Sequence, residues 1–145
     1  MKILIINGPN LNLLGKRRTD IYGTETLSSI MDELTAFLAE KGAESECFQS
    51  NSEGAIIDRI HAAMGDCDGI IINPGAYTHY SYAIRDAIEA VALPTVEVHL
   101  SDIHAREPFR AVSVIEPVCI AQVSALGRMS YFTGAEILLS RLKTC

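Results

Sequence analysis

Glu97 and His99 have the residue types and the spacing of an acid–base pair. Both lie in the short apolar run TVEVH, which predicts a buried β-strand from 95 to 99. Side chains two positions apart on a strand point to the same face, so the carboxylate can lie beside the imidazole. A neighbouring carboxylate orients an imidazole and favours its charged form, which makes His99 a candidate general acid near neutral pH. A histidine that ends a strand and merely bonds a neighbour is the alternative, although a glutamate buried in a strand is costly without such a partner.

A second set of reactive side chains lies in residues 7–23, NGPNLNLLGKRRTDIYG, between the first strand and the first helix. The stretch is longer than the roughly 2–6 residues that usually join a strand to a helix. Its glycines provide flexible points, and its middle carries Lys16, Arg17, Arg18 and Tyr22. Cations and a phenol on a long loop are typical of a lid over an anionic small molecule, so residues 8–23 are predicted to form a lid. A solvated basic loop is the alternative.

Tyr22 is a candidate base. A phenol normally loses its proton at about pH 10, but nearby cations stabilise the phenolate. Arg17 lies five residues earlier and can reach Tyr22 if the loop folds back. A base on one side of a substrate and a glutamate-supported histidine on the other are what a lyase or isomerase acting on a carboxylate compound requires.

His79, Arg106 and Arg110 are candidates for binding an anionic group. His79 follows an Asn-Pro-Gly turn, with Arg85 and Asp86 about two helical turns further on. Arg106 and Arg110 lie in the loop after the TVEVH strand, and guanidinium groups bind carboxylates bidentately. A surface histidine and a solvated pair of arginines are the alternatives.

Strand-like and helix-like patterns alternate about five times along the chain. The predicted strands cover residues 2–6, 43–49, 69–72 and 95–99, with a fifth at either 112–115 or 118–123. The predicted helices run from an N-cap at Thr24 to 41, from a cap cluster at 50–52 to 64, from 82 to 91 and over about 126–143. Such alternation predicts an α/β fold in which a five-stranded parallel sheet carries helices on both faces.

The residues that follow each predicted strand should meet at one edge of the sheet, where ligands bind in folds of this kind. They are Asn7-Gly8-Pro9-Asn10, Gln49-Ser50-Asn51, Asn73-Pro74-Gly75 and His99-Leu100-Ser101. These segments are polar or expose backbone groups, as a site that orients a small molecule requires.

The composition indicates one domain over residues 1–145, with 48% hydrophobic and 21% charged residues, and the acid–base candidates above predict that this domain is catalytic. A net charge of −6 argues against sequence-independent binding to nucleic acid, which depends on basic residues. The apolar run at the start is too short for a signal peptide, and no stretch approaches the ~18 apolar residues of a membrane span, so no membrane partner is expected. The cysteines form no CxxC pair, and free thiols are typical of the reducing cytoplasm.

Three segments together resemble the type II 3-dehydroquinate dehydratases. They are NGPNLNLLG with the following R and YG, then IINPGAYTHYSYAIRDA, then VEVHLSDIHAREPFR. The likeness covers nearly the whole chain, in the family's order and at its spacing. It implies a flavodoxin-like fold and a hydro-lyase that converts 3-dehydroquinate to 3-dehydroshikimate on the shikimate route to aromatic amino acids. It also implies that no cofactor is used and that the protein assembles as a dodecamer of four trimers.

The resemblance assigns roles in an anti elimination that passes through an enolate. Tyr22 matches the base, Arg17 the lid arginine that stabilises the phenolate and the transition state, and Asn10 the residue that holds a water on the enolate oxygen. His99 matches the acid that protonates the departing hydroxyl, supported by Glu97.

The remaining matches concern the substrate and a neighbouring subunit. The groups that would hold the substrate's hydroxyls and carboxylate are Asn73, His79, Leu100, Ser101 and Arg110, with backbone N–H groups donated by Leu100 and Ser101. Asp86 matches a carboxylate that reaches a neighbouring subunit's site, and Arg106 matches a supporting residue near the tyrosine.

The chain departs from the family pattern at Arg18 and Thr19, where members usually have an acidic residue followed by proline. The absence of proline leaves an open lid more freedom, and Arg18 adds a charge near Tyr22. We therefore expect the chemistry to survive and the closure of the lid to change.

Other classes of protein fit the sequence less well. A non-catalytic flavodoxin-like module that binds a small ligand stays open, but a receiver would need acidic residues after the first and third strands, where asparagines stand. A nucleotide-dependent oxidoreductase would need a glycine fingerprint, and NGPNLNLLG matches neither GxGxxG nor GxxxxGK[ST]. A pseudo-enzyme is disfavoured because Tyr22, Arg17 and His99 are all present. No metal-ligand spacing is found.

Overall fold

Five parallel strands form one sheet within residues 1–16, 18–22 and 24–144, the part of the chain that the computed structural model describes; of Tyr22 only the backbone is described. The strands are β1 (Lys2–Asn7), β2 (Glu44–Gln49), β3 (Gly69–Asn73), β4 (Thr95–Val98) and β5 (Ala121–Val123). Their order across the sheet is β2-β1-β3-β4-β5, and every neighbouring pair is parallel. The predicted five-stranded parallel sheet is therefore confirmed, with the fifth strand in the later of its two candidate positions.

Helices connect the strands. They are α1 (Thr19–Tyr22), α2 (Leu27–Glu40), α3 (Glu53–Ala62), α4 (Tyr82–Val91) and α5 (Met129–Lys143). Short 3₁₀ helices cover Leu11–Leu13, Gly75–His79, Ile103–Ala105, Pro108–Ala111 and Glu116–Val118. Residues 8–23 thus contain a 3₁₀ helix and the short α1. None of the described helices is long and apolar enough to cross a bilayer.

Each face of the sheet carries its own hydrophobic core. Ile3 and Ile5 of β1 pack in the core that α2 and α5 cover, whereas Leu4 and Ile6 pack in the core that α3 and α4 cover. All four side chains are fully buried. Because both faces are covered, the strand has an unbroken apolar sequence instead of an alternating one. The prediction of helices on both faces is confirmed.

The strand register brings the predicted site segments level with one another. Asn7 at the end of β1 pairs with Gln49 of β2 on one side and with Asn73 of β3 on the other. On the next pair of strands, Val98 of β4 is level with Val123 of β5. The segments that follow β1, β2, β3 and β4 therefore leave the sheet at the same edge.

Two predicted helix starts are wrong. The side chain that caps α2 is Thr26, whose hydroxyl oxygen accepts a bond of 3.1 Å from the Ser29 N–H; Thr24 lies two residues too early. The last helix starts at Met129 and not near 126, because Ala125 and Gly127 have φ values of 69° and 57°. Those left-handed conformations cannot belong to a right-handed helix.

Candidate active site

A cavity of about 120 Å³ lies at the carboxyl ends of β1, β3 and β4. Eight residues singled out from the sequence line it: Asn10, Asn73, His79, His99, Leu100, Ser101, Arg106 and Arg110. Apolar side chains complete the wall, among them Leu11, Leu14 and Ile103. A small cavity with amides, imidazoles and guanidiniums on an apolar frame has the composition of a site for a compact, polar anion.

The cavity wall is shaped by two tight turns. A Cβ atom on Gly8 would lie 2.4 Å from the carbonyl oxygen of Pro74, and one on Gly75 would lie 3.2 Å from the carbonyl oxygen of Pro9. The N–H of Gly8 donates to the Asn73 carbonyl at 2.8 Å. The turns after β1 and β3 can approach each other this closely because glycine has no side chain.

Asn10 is held by backbone geometry and by the end of β2. Its φ of 69° is left-handed, a conformation that asparagine tolerates better than most residues. Its N–H donates to Asn51 Oδ1 at 3.0 Å, and Gln49 Nε2 donates to the Gly8 carbonyl at 3.1 Å. The loop after β1 is therefore fixed to the loop after β2 at the point where Asn10 reaches the cavity.

The predicted acid pair is buried together. Glu97 Oε2 lies 2.5 Å from His99 Nε2, with Glu97 0% and His99 5% exposed. The backbone N–H of His99 donates to the Val123 carbonyl at 2.9 Å, so the ring is anchored just beyond the end of β4. Since Nε2 is bonded to Glu97, Nδ1 is the ring nitrogen left for proton transfer in the cavity.

Two hydroxyl groups support the carboxylate of Glu97. Thr78 Oγ1 lies 2.5 Å from Oε2, and Ser113 Oγ lies 2.9 Å from both carboxylate oxygens. Burial by itself would raise the pKa of Glu97, but the bonds from His99, Thr78 and Ser113 outweigh burial and lower that pKa. Sequence reasoning missed both hydroxyl residues. The only signal was that a buried glutamate needs partners.

Asn73 is oriented by a buried tyrosine. Its Nδ2 donates to the Tyr131 hydroxyl at 3.0 Å, and its Oδ1 accepts from the Gly75 N–H at 3.2 Å. The Tyr131 hydroxyl donates to Asn7 Oδ1 at 2.5 Å, and burial raises the pKa of this phenol. Tyr131 was predicted as an apolar position of the last helix, and its polar role was missed.

One ring nitrogen of His79 is hydrogen-bonded to the backbone. Nδ1 lies 2.7 Å from the Val112 carbonyl, which can only accept, so Nδ1 carries a proton. The ring packs edge-on against Phe109 at 5.8 Å between centroids. Burial lowers the pKa of His79, with nearby His99 and Arg110 adding to the effect and the Val112 carbonyl opposing it. This histidine lines the cavity and is more than a surface residue.

The two arginines of the loop after β4 both reach the cavity. Arg106 Nη1 donates to Ser101 Oγ at 3.4 Å. Arg110 pairs through Nε with Glu107, and its guanidinium lies 4.8 Å from the centre of the Phe109 ring. Both guanidiniums are therefore positioned by neighbours at the cavity and do not form a purely solvated face.

The backbone of Leu100 and Ser101 is fixed by the loop that precedes α5. The Leu100 carbonyl accepts from the Gly127 N–H at 3.0 Å, and the Ser101 carbonyl accepts from the Ala125 N–H at 3.1 Å. In a trans peptide the N–H points away from the carbonyl of the preceding residue. The Ser101 N–H therefore points away from the loop before α5.

Four predicted residues are not among the described side chains that line this cavity, and one of them, Glu97, bonds to His99, which does line it. Arg17 lies outside the described residues, and so does the side chain of Tyr22, whose backbone ends α1. Asp86 is exposed on α4 and does not line the cavity of its own chain. Within the described part of the chain, no group of three or more His, Cys, Asp or Glu side chains is placed to hold a metal ion.

The chain is similar over its whole length to curated enzymes. The family model described as Dehydroquinase class II matches residues 1–139. A 3-dehydroquinate dehydratase of Geotalea daltonii is 54% identical over 143 residues, which cover 99% of each chain. One of Caldicellulosiruptor saccharolyticus is 58% identical over 131 residues, which cover 90% of each chain.

Solved structures show the same likeness. The type II dehydroquinase from Butyrivibrio crossotus superposes with a TM-score of 0.94 at 50% identity, covering 96% of this chain and 97% of that chain. The type II dehydroquinase from Propionibacterium acnes has a TM-score of 0.90 at 37% identity, covering 95% and 96%. The chain therefore belongs to the class II dehydroquinase family.

Proposed function

We propose that this chain is a type II 3-dehydroquinate dehydratase, a hydro-lyase of the shikimate pathway that removes water from 3-dehydroquinate to give 3-dehydroshikimate. The observation that carries the proposal is the Glu97–His99 pair, buried at the wall of a cavity that is also lined by Asn73, His79 and Arg110. Relatives of that name, at 54% identity over 99% of the chain, support the choice of substrate.

The first half of the reaction removes a proton from the carbon next to the ketone. Tyr22 acts as the phenolate base, and Arg17 stabilises both the phenolate and the transition state. The difficulty of this step is the negative charge that develops on the enolate oxygen. Asn10, which lines the cavity, holds a water that donates to that oxygen.

The second half expels hydroxide, a poor leaving group that requires an acid. His99 supplies the proton from Nδ1, because Nε2 is held by Glu97. A base and an acid on opposite faces of the substrate give an anti elimination. The substrate's carboxylate and hydroxyls are held by Asn73, His79, Arg110 and the N–H groups of Leu100 and Ser101, while Arg106 supports the tyrosine side. No cofactor takes part.

Residues 8–23 act as a lid. Pro9, Asn10, Leu11 and Leu14 form part of the cavity wall, and the cations lie further along the same segment. Arg18 has a φ of 40°, and a proline at 19 would restrict its backbone towards extended conformations. Thr19→Pro should therefore rebuild the turn before α1 and change KM or kcat. If KM and kcat of Thr19→Pro equal those of the unmodified protein, the absence of proline at position 19 has no role in closure of the lid.

The active assembly is a trimer, and four trimers form a dodecamer. Support comes from a rim patch of exposed side chains: Phe109 and Val112, which contact His79 through a ring and a carbonyl, and Tyr80 and Tyr82, which follow His79 along the chain. Each of the four is more than half exposed. Contiguous exposed apolar surface is typical of protein interfaces. Asp86 lies one helical turn after Tyr82 on α4, so a neighbour on the patch would receive its carboxylate.

The fold is of the flavodoxin-like type, which the strand order β2-β1-β3-β4-β5 supports. A cytoplasmic location stays a prediction from the sequence.

The proposal is tested by adding 3-dehydroquinate to the purified protein and following the ultraviolet absorbance of the conjugated product. We expect turnover, and a loss of about 10²-fold or more in Tyr22→Phe. If Tyr22→Phe turns over as fast as the unmodified protein, the proposed reaction stands but the assignment of Tyr22 as the base is overturned. A folded protein with no turnover would favour the non-catalytic binding module.

A further inference from the structure

The carboxylate of Glu97 receives more hydrogen bonds than its pairing with His99 requires. Thr78 Oγ1 lies 2.5 Å from Oε2, and Ser113 Oγ lies 2.9 Å from each oxygen. Glu97 and Thr78 are both 0% exposed. Three side-chain donors therefore surround one fully buried carboxylate.

The bonding of Ser113 leaves its hydroxyl proton as the donor. Its oxygen accepts from the N–H of Ile115 at 3.3 Å and from the N–H of Glu116 at 3.1 Å. A hydroxyl oxygen has two acceptor positions, and these two bonds fill them. The remaining proton then has the Glu97 oxygens at 2.9 Å as its anionic acceptors, which are favoured over the neutral Thr78 hydroxyl at 3.1 Å.

The two hydroxyls are placed by the backbone and not by their own rotamers alone. The Thr78 carbonyl accepts from the Val114 N–H at 2.8 Å, which ties the 3₁₀ helix Gly75–His79 to the segment that carries Ser113. The same helix ends at His79, and both His79 and His99 line the cavity. The support of Glu97 is thus built into the wall of the cavity.

A carboxylate that accepts from two hydroxyls and an imidazole N–H is stabilised in its ionised form. An ionised Glu97 can only accept, so the proton between it and the ring stays on His99 Nε2. The ring is then fixed in one orientation, with Nδ1 as the nitrogen that exchanges protons in the cavity. Loss of one donor would let Glu97 take a proton more readily and weaken that arrangement.

We infer that Thr78 and Ser113 are positioning residues for the acid: they hold Glu97 ionised and thereby keep the His99 ring oriented for protonation of the leaving hydroxyl. The inference rests on the proposed function of this site. Among the described residues, the charge of Glu97 also acts on His79 and on the half-buried thiol of Cys119.

The test compares Thr78→Val and Ser113→Ala with Thr95→Val. Thr95 is also buried on β4, but its hydroxyl donates to the Leu93 carbonyl at 2.9 Å, at the opposite end of the strand. We expect kcat to fall about 10- to 100-fold in the first two variants, with a much smaller change in KM. We also expect the acidic limb of the pH profile of kcat to move to higher pH, because Glu97 with fewer donors is protonated more easily.

Two further variants serve as rescue and control. Thr78→Ser should restore most of kcat, and Thr95→Val should keep both the kcat and the pH profile of the unmodified protein.

A second readout does not depend on turnover. In the unmodified protein the His99 Nε2–H should give a downfield proton resonance typical of a short bond to a carboxylate, and Thr78→Val and Ser113→Ala should shift or broaden it while Thr95→Val does not. If Thr78→Val and Ser113→Ala keep the proton resonance and the pH profile of the unmodified protein, as Thr95→Val is expected to do, the positioning role is overturned. Absence of turnover in the unmodified protein, with the resonance behaving as expected, would instead count against the proposed reaction alone.

Discussion

At the scale of single residues, Tyr131 shows how a core side chain can control a site that it does not line. Its hydroxyl lies between Asn7 and Asn73, and Asn73 reaches the cavity. Tyr131→Phe removes the hydrogen-bond partner of Asn7 Oδ1 and of Asn73 Nδ2, so we expect a loss of about 1–3 kcal/mol in the free energy of unfolding. We also expect KM to rise, because the Asn73 amide then keeps one of its two bonds, the one from the Gly75 N–H to its Oδ1.

The matched control for this change is Tyr77→Phe, which removes a bond of 2.8 Å to the Asn51 carbonyl at an exposed position. Denaturant unfolding should show a smaller loss in the free energy of unfolding for Tyr77→Phe than for Tyr131→Phe. Equal losses, with an unchanged KM in Tyr131→Phe, would contradict the positioning of Asn73 by Tyr131.

The protonation of His79 and Glu97 predicts how stability depends on pH. The pKa of each group is lower in the folded protein than its ordinary value. The unfolded chain therefore binds protons more readily, and the stabilisation is lost as pH falls, from about 6.5 downward for His79 and from about 4.3 downward for Glu97. The denaturant midpoint should be lower at about pH 5.5 than at about pH 7.5.

His79→Gln should reduce the difference between the denaturant midpoints at the two pH values. The same substitution at the exposed His61 should leave that difference unchanged. If the two variants respond alike, the acid sensitivity does not come from the His79 environment.

At the scale of elements, the contact between the turns after β1 and β3 is the feature most sensitive to a single methyl group. Gly8→Ala places a Cβ 2.4 Å from the Pro74 carbonyl oxygen, so one of the two turns must move. We expect a loss of stability of about 1–3 kcal/mol, the range for an overpacked position, together with lower activity, since both turns line the cavity. Gly54→Ala is the control.

Gly54 lies in α3, and the nearest atom to an added Cβ is 3.9 Å away. Alanine there should be neutral or stabilise the protein by about 0.5–1 kcal/mol, because glycine disfavours a helix. Melting temperatures of the two variants that shift in the same direction would contradict this account of the turns.

At the scale of the whole molecule, the proposed trimer predicts that active sites are shared between chains. Asp86→Asn and His99→Gln would each impair turnover in a homogeneous assembly, the first at a neighbour's site and the second at the chain's own. Chains refolded together should regain activity, because some sites then receive His99 from one chain and Asp86 from another. Mixtures no more active than the separate variants, in assemblies shown by sedimentation to be mixed, would contradict the shared site.

The sequence predicted the features that depend on short spacing. The Glu97–His99 contact follows from a spacing of two residues at the end of β4, and the sheet follows from the alternation of apolar patterns. The support of these groups could not be predicted, because Thr78 and Tyr131 lie 19 and 58 residues from the side chains they bond. Only the crossing of strands and helices brings them together. The start of α5 was missed because the left-handed residues before it have no clear signal at Ala125.

The central claim is that a base and a glutamate-supported acid act in separate steps, and proton exchange measures those steps one at a time. In deuterium oxide, proton NMR follows both exchange at the substrate carbon next to the ketone and loss of water. His99→Gln should retain exchange while water loss falls about 10²-fold or more, whereas Tyr22→Phe should lose both. Loss of both activities to the same extent in His99→Gln, with the protein folded, would contradict the assignment of His99 as the acid of the second step.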